Sequence, residues 1–226
     1  MTATRLPTSL TSLPVSLSVL NGADLSHAGI TSVADAVRSI PGTAVVQSGS
    51  FGAQTSIFIR GGESDYTKVL LNGVPLNQPG GAFDFAGLTT DNLERVEVLR
   101  GPASVLYGSD AVAGVVQLFT RDRRFPGMPA VTIGTRGGTY GTLESYASAA
   151  GGSARRGWSV GGSWGTTDGT LPFNNQSRTG AADARVHAAP DARTDVSLSV
   201  RWDDHLFHFP TDGAGRDTGM FADSNQ

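Results

Sequence analysis

The sequence predicts two different folds in succession: a small α+β domain, followed by an antiparallel sheet built from strands and turns. Residues that precede the Arg- and Pro-rich segment 121–129 mix helix and strand patterns. Residues that follow it alternate apolar and polar side chains with the period of two that is typical of a sheet with one apolar face. We therefore expect a domain boundary in this segment, with residues 1–122 forming the first domain and residues 123–226 the second.

The first domain contains one clear helix signal. Ser32 and Asp35 have the spacing of a capping box, in which side chains satisfy backbone N–H groups of the first helical turn. The apolar residues near this box share one helical face: Ile30, Val33, Ala34 and Val37. Pro41-Gly42 ends the helix, because proline cannot continue it and glycine tolerates the turn that follows.

Strand and turn signals fill the rest of the first domain. Asn72-Gly73 lies between two apolar runs and predicts a hairpin, since both residues tolerate the positive φ of a type I′ turn. Pro102 and Gly108 are placed to begin and end a short helix. The remaining strand signals are residues 57–59, Val96 with Val98, and residues 114–120.

The second domain repeats one pattern. Alternation is regular in residues 131–134, 158–164, 182–188 and 196–202, and less regular in 142–149. Segments of about ten residues with this period are typical of transmembrane β-strands, although a soluble β-sandwich or lipocalin-like barrel shows the same alternation.

Two details favour the membrane interpretation of this sheet. Trp and aliphatic residues occupy one face, while charged residues occupy the other. The connections also alternate in length: 151–156 and 190–193 are short, whereas 166–179 and the stretch beyond 203 are long, with the turn 137–141 as the exception. Outer-membrane barrels have short turns at one end and long loops at the other.

Composition excludes several classes of function. The chain has 226 residues, a formal net charge of -3, no cysteine and a charged fraction of 16%. The absence of cysteine excludes a disulfide scaffold, a thiolate metal site and a cysteine nucleophile. Basic residues are scattered, so the sequence predicts no nucleic-acid partner. No apolar run reaches the roughly 18 residues that a membrane helix requires.

The chemical motifs are few and weak. Residues 161–165 (GGSWG) match the nucleophile elbow G-x-S-x-G, but they lie in an alternating strand instead of a strand–turn–helix, so we discard the match. Potential metal ligands follow the last predicted strand: Asp203, Asp204, His205, His208 and Asp212. Their spacing fits no metal motif, and a solvated loop is the simpler interpretation. We expect no catalytic residue, no cofactor and no metal site.

Five ordered motifs carry a resemblance to a known family. They are residues 2–5 (TATR), 57–61 (IFIRG), 69–77 (VLLNGVPLN), 93–107 (LERVEVLRGPASVLY) and 108–116 (GSDAVAGVV). The first domain therefore resembles the plug of TonB-dependent outer-membrane receptors over nearly its whole length. Residues 57–61 and 107–116 are most similar to the cobalamin-transporter branch, although siderophore receptors share most of these motifs.

The resemblance implies a fold and a function. The fold is an α+β plug domain followed by an incomplete antiparallel transmembrane β-barrel, with about five strands of an expected twenty-two or so. The function is TonB-dependent active import of a metal chelate, cobalamin or a ferric siderophore, across the outer membrane of a Gram-negative bacterium, with the plug gating the barrel. Five strands cannot close such a barrel, so we expect a fragment that does not transport alone. A soluble ligand-binding β-rich module without transport is the alternative.

The resemblance also implies partners: TonB with ExbB and ExbD, the chelate, and outer-membrane lipid. The segment that pairs with TonB lies just upstream of residues 2–5 in the family, so we expect it to be missing from this chain.

Individual residues acquire roles from the same resemblance. Arg60 and Arg100 match plug arginines that pair with barrel carboxylates and hold the plug in place, and Glu94 and Glu97 are expected to join that network. A solvated strand edge is the alternative for all four residues. Segments 47–55, 63–67 and 78–85 are expected to face the ligand. The predicted ligand-binding residues are Gln54, Thr55, Asp65, Tyr66, Asn77, Gln78, Phe83 and Phe85.

Overall fold

The computed structural model describes residues 16–49, 51–121, 128–191, 193–212 and 216–225. The chain divides into two compact units. Unit 1 consists of Met1–Gln47 and Thr55–Thr120, and unit 2 consists of Ser48–Gln54 and Arg121–Gln226. The motif at residues 2–5 lies outside the described residues, as does most of the Arg- and Pro-rich segment.

Unit 1 is an α+β domain. Its elements are β1 (Ser16–Asn21), α1 (Gly22–His27), α2 (Val33–Arg38), β2 (Thr43–Gln47), β3 (Thr55–Ile59), a 3-10 helix (Ser64–Tyr66), β4 (Thr67–Leu71), β5 (Val74–Pro75), β6 (Leu93–Arg100), α3 (Ser104–Tyr107) and β7 (Gly114–Thr120). Five strands form a sheet in the order β1-β6-β7-β4-β5, in which only the β4–β7 pair is parallel. Strands β2 and β3 form a separate antiparallel pair.

Local sequence signals explain several of these elements. Ser32 caps α2 because its hydroxyl oxygen accepts a hydrogen bond of 3.1 Å from the Ala34 N–H. Asn72 and Gly73 have φ values of 52° and 88°, as the predicted hairpin turn requires. The predicted strand at residues 114–120 is confirmed as β7. Strands β1 and β2 and helix α1 carry no signal that we had recognised.

The sheet of unit 1 is covered on both faces. One face packs against α1, α2 and β3, and its central residues Val96, Val98 and Leu118 are completely buried. The other face packs against α3 and the loop that follows it, through a smaller cluster that includes Leu99 and Tyr107. Burial of apolar area on both faces is the main stabilising term for such a domain.

Unit 2 is a six-stranded antiparallel sheet in sequential order. Its strands are β8 (Ala130–Gly137), β9 (Leu143–Ser153), β10 (Arg156–Thr167), β11 (Ser177–Ala188), β12 (Val196–His208) and β13 (Phe221–Asn225). The five predicted strands are confirmed as β8 to β12, and β13 is an additional strand that the sequence pattern did not reveal. The expectation that a long connection begins beyond Asp203 is wrong, because β12 continues to His208.

The connections of this sheet alternate between its two ends. Connections 138–142, 168–176 and 209–220 lie at one end, which we call the loop end. Connections 154–155 and 189–195 lie at the opposite end, which we call the turn end. The turn at 137–141, the exception in the sequence pattern, therefore falls at the loop end, where it is the shortest of the three connections in the described sheet.

Candidate functional site

The sheet of unit 2 has an inverted distribution of side chains. Its apolar side chains are exposed, including Val131, Ile133, Trp158, Val160, Trp164, Val186, Val196, Leu198, Val200 and Trp202. On the opposite face, Ser148, Ser159 and His187 are buried. The register places Trp158, Val186 and Leu198 side by side on one face, and Ser159, Arg185 and Ser199 side by side on the other. A protein in water shows the reverse arrangement.

The exposed apolar face has polar limits at both ends. Near the loop end, Arg178 and Asp204 form an ion pair of 3.4 Å on this face. Arg178 pairs with Thr166, two residues beyond Trp164, and Asp204 lies two residues beyond Trp202. Near the turn end, the exposed Arg156 begins β10, two residues before Trp158. Between these limits the apolar band covers residues 157–165 of β10, close to the roughly nine to eleven residues with which a tilted strand crosses a bilayer. The sequence-based expectation that charges avoid this face is wrong at Arg156, Arg178 and Asp204.

The opposite face carries charged pairs. Arg136 on β8 donates a hydrogen bond of 2.9 Å to Glu144 on β9, and its guanidinium lies 4.8 Å from the Tyr146 ring. Arg201 donates a hydrogen bond of 2.9 Å to Asp203 on the same strand. Polar pairs on one face and apolar residues on the other are the arrangement found in transmembrane barrels, whose interior is polar.

Arg60 and Arg100 lie beside each other in unit 1. A Cβ atom placed on Gly42 would lie 3.9 Å from both Arg60 Cγ and Arg100 Cδ, so the two stems flank this glycine. Arg100 donates hydrogen bonds to the Pro41 carbonyl and, over 2.9 Å, to the Ser18 hydroxyl, while its buried Nε has no hydrogen-bond acceptor. In the described part of the chain, the Arg60 guanidinium has no ion pair.

Glu94 and Glu97 both contact a third arginine, which lies on β6. Both carboxylates contact Arg95, at 3.3 Å from Glu94 and 2.8 Å from Glu97. Glu97 is only 2% exposed, and the Arg95 guanidinium also stacks 3.7 Å from the centre of the Phe119 ring. Arg95 therefore neutralises Glu97 within unit 1, which the alternation of charges in the sequence could not show.

Hydrogen bonds connect segment 78–85, which was predicted to face a ligand, to β3 and β4 of unit 1. Asp84 Oδ1 accepts hydrogen bonds of 2.9 Å from the N–H groups of Thr55 and Ala86. Asn77 accepts from the Val69 N–H at 2.7 Å and donates to the carbonyls of Thr67 and Gly81 at 3.0 and 2.6 Å. These two side chains hold segment 78–85 against β3 and β4.

A close backbone approach adds a third connection to segment 78–85. A Cβ atom on Gly81, whose φ is +90°, would lie 2.5 Å from the Asp65 carbonyl oxygen, so any other residue would push the loops apart. Segments 63–67 and 78–85 therefore lie in direct contact.

The eight predicted ligand-binding residues fall into two groups. Exposed side chains belong to Gln54, Asp65, Tyr66 and Gln78. Packed side chains belong to Thr55, Asn77, Phe83 and Phe85, of which Phe85 is 2% exposed and meets Phe83 edge to face with ring centres 4.8 Å apart. The amide of Asn77 is fully engaged by backbone groups, so it shapes the loop. Asp84, whose carboxylate binds the Thr55 and Ala86 N–H groups, was not singled out from the sequence.

Lys68 and Asp110 form a further ion pair that the sequence analysis missed. The Lys68 ammonium, 13% exposed, donates a hydrogen bond of 2.7 Å to Asp110 and joins β4 to the loop after α3. This bond, together with one from the Ser109 hydroxyl, lowers the pKa of Asp110 from its ordinary value.

In unit 2, the Arg193 N–H and the Thr194 hydroxyl lower the pKa of Asp191 in the same way.

The weak chemical motifs acquire structural positions. Residues 161–165 lie inside β10, so the elbow geometry is absent there. Asp203, Asp204, His205 and His208 belong to β12, and only Asp212 follows it, so the expectation of a solvated loop is wrong for the first four. Among the described residues, no three His, Asp or Glu side chains come together as metal ligands. No helix in the described ranges has the length and apolar character needed to cross a membrane.

Comparison with known proteins identifies relatives of both units. Residues 9–115 match the family of TonB-dependent receptor plug domains. The vitamin B12 transporter BtuB of Photobacterium profundum is 32% identical over 159 residues, and BtuB of Vibrio vulnificus is 34% identical over 134 residues. These alignments include 70% and 59% of this chain but 26% and 22% of the relatives, so the chain spans about a quarter of their length.

A solved structure shows the same fold over nearly the whole chain. The ferripyoverdine receptor of the outer membrane of Pseudomonas aeruginosa superposes with a TM-score of 0.74 at 17% identity, covering 97% of this chain and 30% of that one. The copper transporter OprC superposes with a TM-score of 0.69 at 20% identity, covering 85% of this chain and 31% of that one. The related proteins are transporters and receptors.

Proposed function

Since residues 9–115 are a TonB-dependent receptor plug domain and the strands after it are strands of a receptor β-barrel in an open sheet, we propose that the protein imports a metal chelate across the outer membrane. The chelate is cobalamin or a ferric siderophore, and the plug gates the barrel. We take residues 1–122 as the plug and residues 123–226 as barrel. The energy for transport comes from TonB, with ExbB and ExbD as the further partners.

The inverted sheet of unit 2 is the observation that carries this proposal. Exposing so many Trp, Val, Leu and Ile side chains to water is unfavourable by about 25 cal/mol for each Å² of apolar surface. The same surface is at no disadvantage against lipid tails, and the polar limits at Arg178–Asp204 and Arg156 match a band of finite thickness. The face with Ser159 and His187 then belongs to the barrel interior.

Arg60 and Arg100 support the gating part of the proposal. The stems of both arginines flank Gly42, and Arg100 Nε is buried without an acceptor. An anionic partner from outside the described residues would supply that acceptor, and a carboxylate matches the planar guanidinium. We therefore propose that barrel carboxylates bind this arginine pair and hold the plug. Glu94 and Glu97 enter that network through Arg95.

Segments 63–67 and 78–85 of unit 1, which lie in direct contact, supply the ligand-binding part of the proposal. Asp65, Tyr66 and Gln78 contact the chelate, because their side chains are exposed. Gln54, which belongs to unit 2, stays a predicted contact. Thr55, Asn77, Phe83 and Phe85 position these loops from beneath, because their side chains are packed or engaged by backbone groups. Rigid support of this kind lowers the entropy that binding costs.

The first experiment locates the product of the complete gene. Expressed in a Gram-negative host, it should fractionate with the outer membrane, and uptake of labelled cobalamin or ferric siderophore should require TonB. A product that remains a soluble monomer would contradict the transport proposal and favour a secreted binding module.

A second experiment tests the ligand-binding residues. Tyr66→Ala and Gln78→Ala should each weaken chelate binding, whereas Val105→Ala, at a side chain of unit 1 that is 98% exposed, serves as the control. An equal loss of chelate binding in all three variants would contradict the assignment of ligand binding to the plug loops.

A further inference from the structure

The three connections at the loop end of unit 2 are joined to one another by hydrogen bonds. The first two meet where the Asp168 N–H donates to the Tyr140 carbonyl at 2.9 Å and where the Thr142 and Thr167 hydroxyls lie 2.9 Å apart. The second and third meet at the side chain of Asn174, next to the hydrogen bond of 3.0 Å that the His208 N–H at the end of β12 donates to the Gln176 carbonyl. The loop end is therefore a continuous set of bonded segments across β8 to β13.

Asn174 is unusually well placed to join two connections. Its side-chain Nδ2 donates to the carbonyl oxygens of Phe209, Thr218 and Met220 at 2.6, 2.7 and 3.0 Å. These three carbonyls belong to connection 209–220, whereas Asn174 belongs to connection 168–176. An amide has two protons, so three close acceptors share them and the group is fully used.

The backbone at Asn174 favours this residue type. Its φ is +37°, a left-handed conformation that Asn tolerates better than most residues. Gly169, with φ +77°, lies against Asn175 at the other end of the same connection. A Cβ atom on Gly169 would lie 2.1 Å from the Asn175 carbonyl oxygen. Asn175 itself is 1% exposed. Connection 168–176 is thus folded on itself and presents the Asn174 amide in a fixed direction.

The carbonyl groups that accept from Asn174 lie in a hydrogen-bonded part of connection 209–220. The Phe209 N–H donates to the Met220 carbonyl at 2.8 Å, and the Thr218 N–H donates to the Pro210 carbonyl at 3.0 Å. Connection 209–220 therefore continues the β12–β13 ladder beyond its last strand residues. Asn174 binds carbonyl groups of this extension from the side of the neighbouring connection.

We propose that Asn174 is a positioning residue that makes the β10–β11 connection and the described residues of the β12–β13 connection, 209–212 and 216–220, move as one body. A ligand or partner that displaces one connection then displaces the other, and through Tyr140 and Thr167 the β8–β9 turn as well. The response to a chelate rests on the proposed function, whereas the mechanical joining does not depend on any ligand.

Distance measurements between two spin labels test the joining. Labels are introduced at Leu171→Cys, an exposed site, and Gly219→Cys, where a side chain meets nothing within 4 Å. The experiment uses the complete gene product in detergent, without ligand. We expect one narrow distance distribution in the parent protein.

Three variants separate the explanations. Asn174→Asp keeps size and backbone tolerance but places a carboxylate against three carbonyls, so the population with the labels further apart should rise more than about tenfold. Asn174→Gly keeps the positive φ and removes only the amide, which predicts a rise of about fivefold. Gln176→Ala, an exposed neighbour in the same connection, should leave the distribution unchanged.

Two results would overturn the proposal. One is an unchanged distribution in both Asn174 variants, and the other is an equal broadening in Gln176→Ala, which would mean that any substitution loosens this connection. If Asn174→Asp prevents assembly, Asn174→Gly carries the test, because it adds no charge and no backbone strain. Chelate binding that fails in the parent protein would count against the proposed function only, since the label distances are measured without ligand.

Discussion

Unit 1 and unit 2 distribute the same kinds of side chains in opposite ways. In unit 1, Val96 and Val98 on β6 are completely buried between layers of the domain. In unit 2, Leu198 and Val200 on β12 are more than half exposed. Both strands are extended segments rich in β-branched and aliphatic residues. The difference teaches that the surroundings of a strand, and not its composition, decide whether its apolar side chains are buried or exposed.

The largest expected effect comes from placing a charge in the core of unit 1. Val98→Asp should destabilise this unit by more than about 4 kcal/mol, since an unpaired carboxylate would be buried with no partner. Proteolysis of the complete gene product should show rapid cleavage within residues 55–120, while Val105→Asp, at a side chain that is 98% exposed, should leave cleavage unchanged. Equal resistance in both variants would contradict the assignment of β6 to a buried core.

The second prediction separates lipid from water at the exposed face of unit 2. Val200→Arg should cost about 2–4 kcal/mol if this side chain faces lipid, and close to nothing if it faces water. Ser197→Arg, on the opposite face of the same strand, is the control and should cost little in either case. Urea unfolding of the gene product in lipid vesicles measures both costs, and identical values would mean that the two faces meet the same solvent.

A third prediction concerns the hairpin of unit 1. Asn72 supplies a positive φ, and its side chain also accepts from the Thr120 N–H at 3.1 Å and donates to the Thr120 hydroxyl at 2.9 Å. Asn72→Gly should cost about 1–2 kcal/mol through the lost hydrogen bonds, and Asn72→Ala about 1 kcal/mol more through backbone strain. Hydrogen exchange of the β4 and β7 amides measures the stability lost in each variant. Equal losses in Asn72→Gly and Asn72→Ala would assign the whole effect to the side-chain hydrogen bonds.

The smallest effect is the pH dependence of the Lys68–Asp110 pair. Because the pKa of Asp110 is lowered in the folded protein, the pair contributes stability above the carboxyl's ordinary pKa, and this contribution disappears as the pH falls through the lowered value. Asp110→Asn should remove this part of the acid sensitivity, worth less than about 1 kcal/mol for a partly exposed pair. Hydrogen exchange of β4 between about pH 6 and 3 measures it, and identical acid profiles would contradict the role of the pair.

Prediction from sequence succeeded where a few neighbouring residues decide the structure. The Asn72-Gly73 turn and the Ser32 cap depend on local backbone geometry and nearby hydrogen bonds. Strands β8 to β12 repeat one pattern over many residues, which makes them visible. Strand β1 was missed because its partner β6 lies far away in the sequence, and α1 because Asn21 makes no capping hydrogen bond through its side chain.

The candidate site was harder to predict. Loop residues such as Asn77 and Phe85 have the types expected at a ligand surface, but one is engaged by its own backbone and the other is buried. Glu97 was predicted to join the network of Arg60 and Arg100, and the structure pairs it with Arg95, two residues away on β6. Glu94 also contacts Arg95, so the spacing of the charged residues does not say which carboxylate lies at the shorter distance from the guanidinium.

By itself, the amino-acid sequence determined the division into a mixed domain and an alternating sheet, the turns, and the resemblance to a receptor plug, because these follow from backbone preferences and from side-chain periodicity. Only the tertiary structure decided which predicted residues are exposed, that Asp84 and Asn77 hold segment 78–85 against β3 and β4, and that Asn174 joins two connections at the loop end. These contacts form between segments far apart in the chain, and their hydrogen bonds exist only once packing has brought donor and acceptor within about 3 Å.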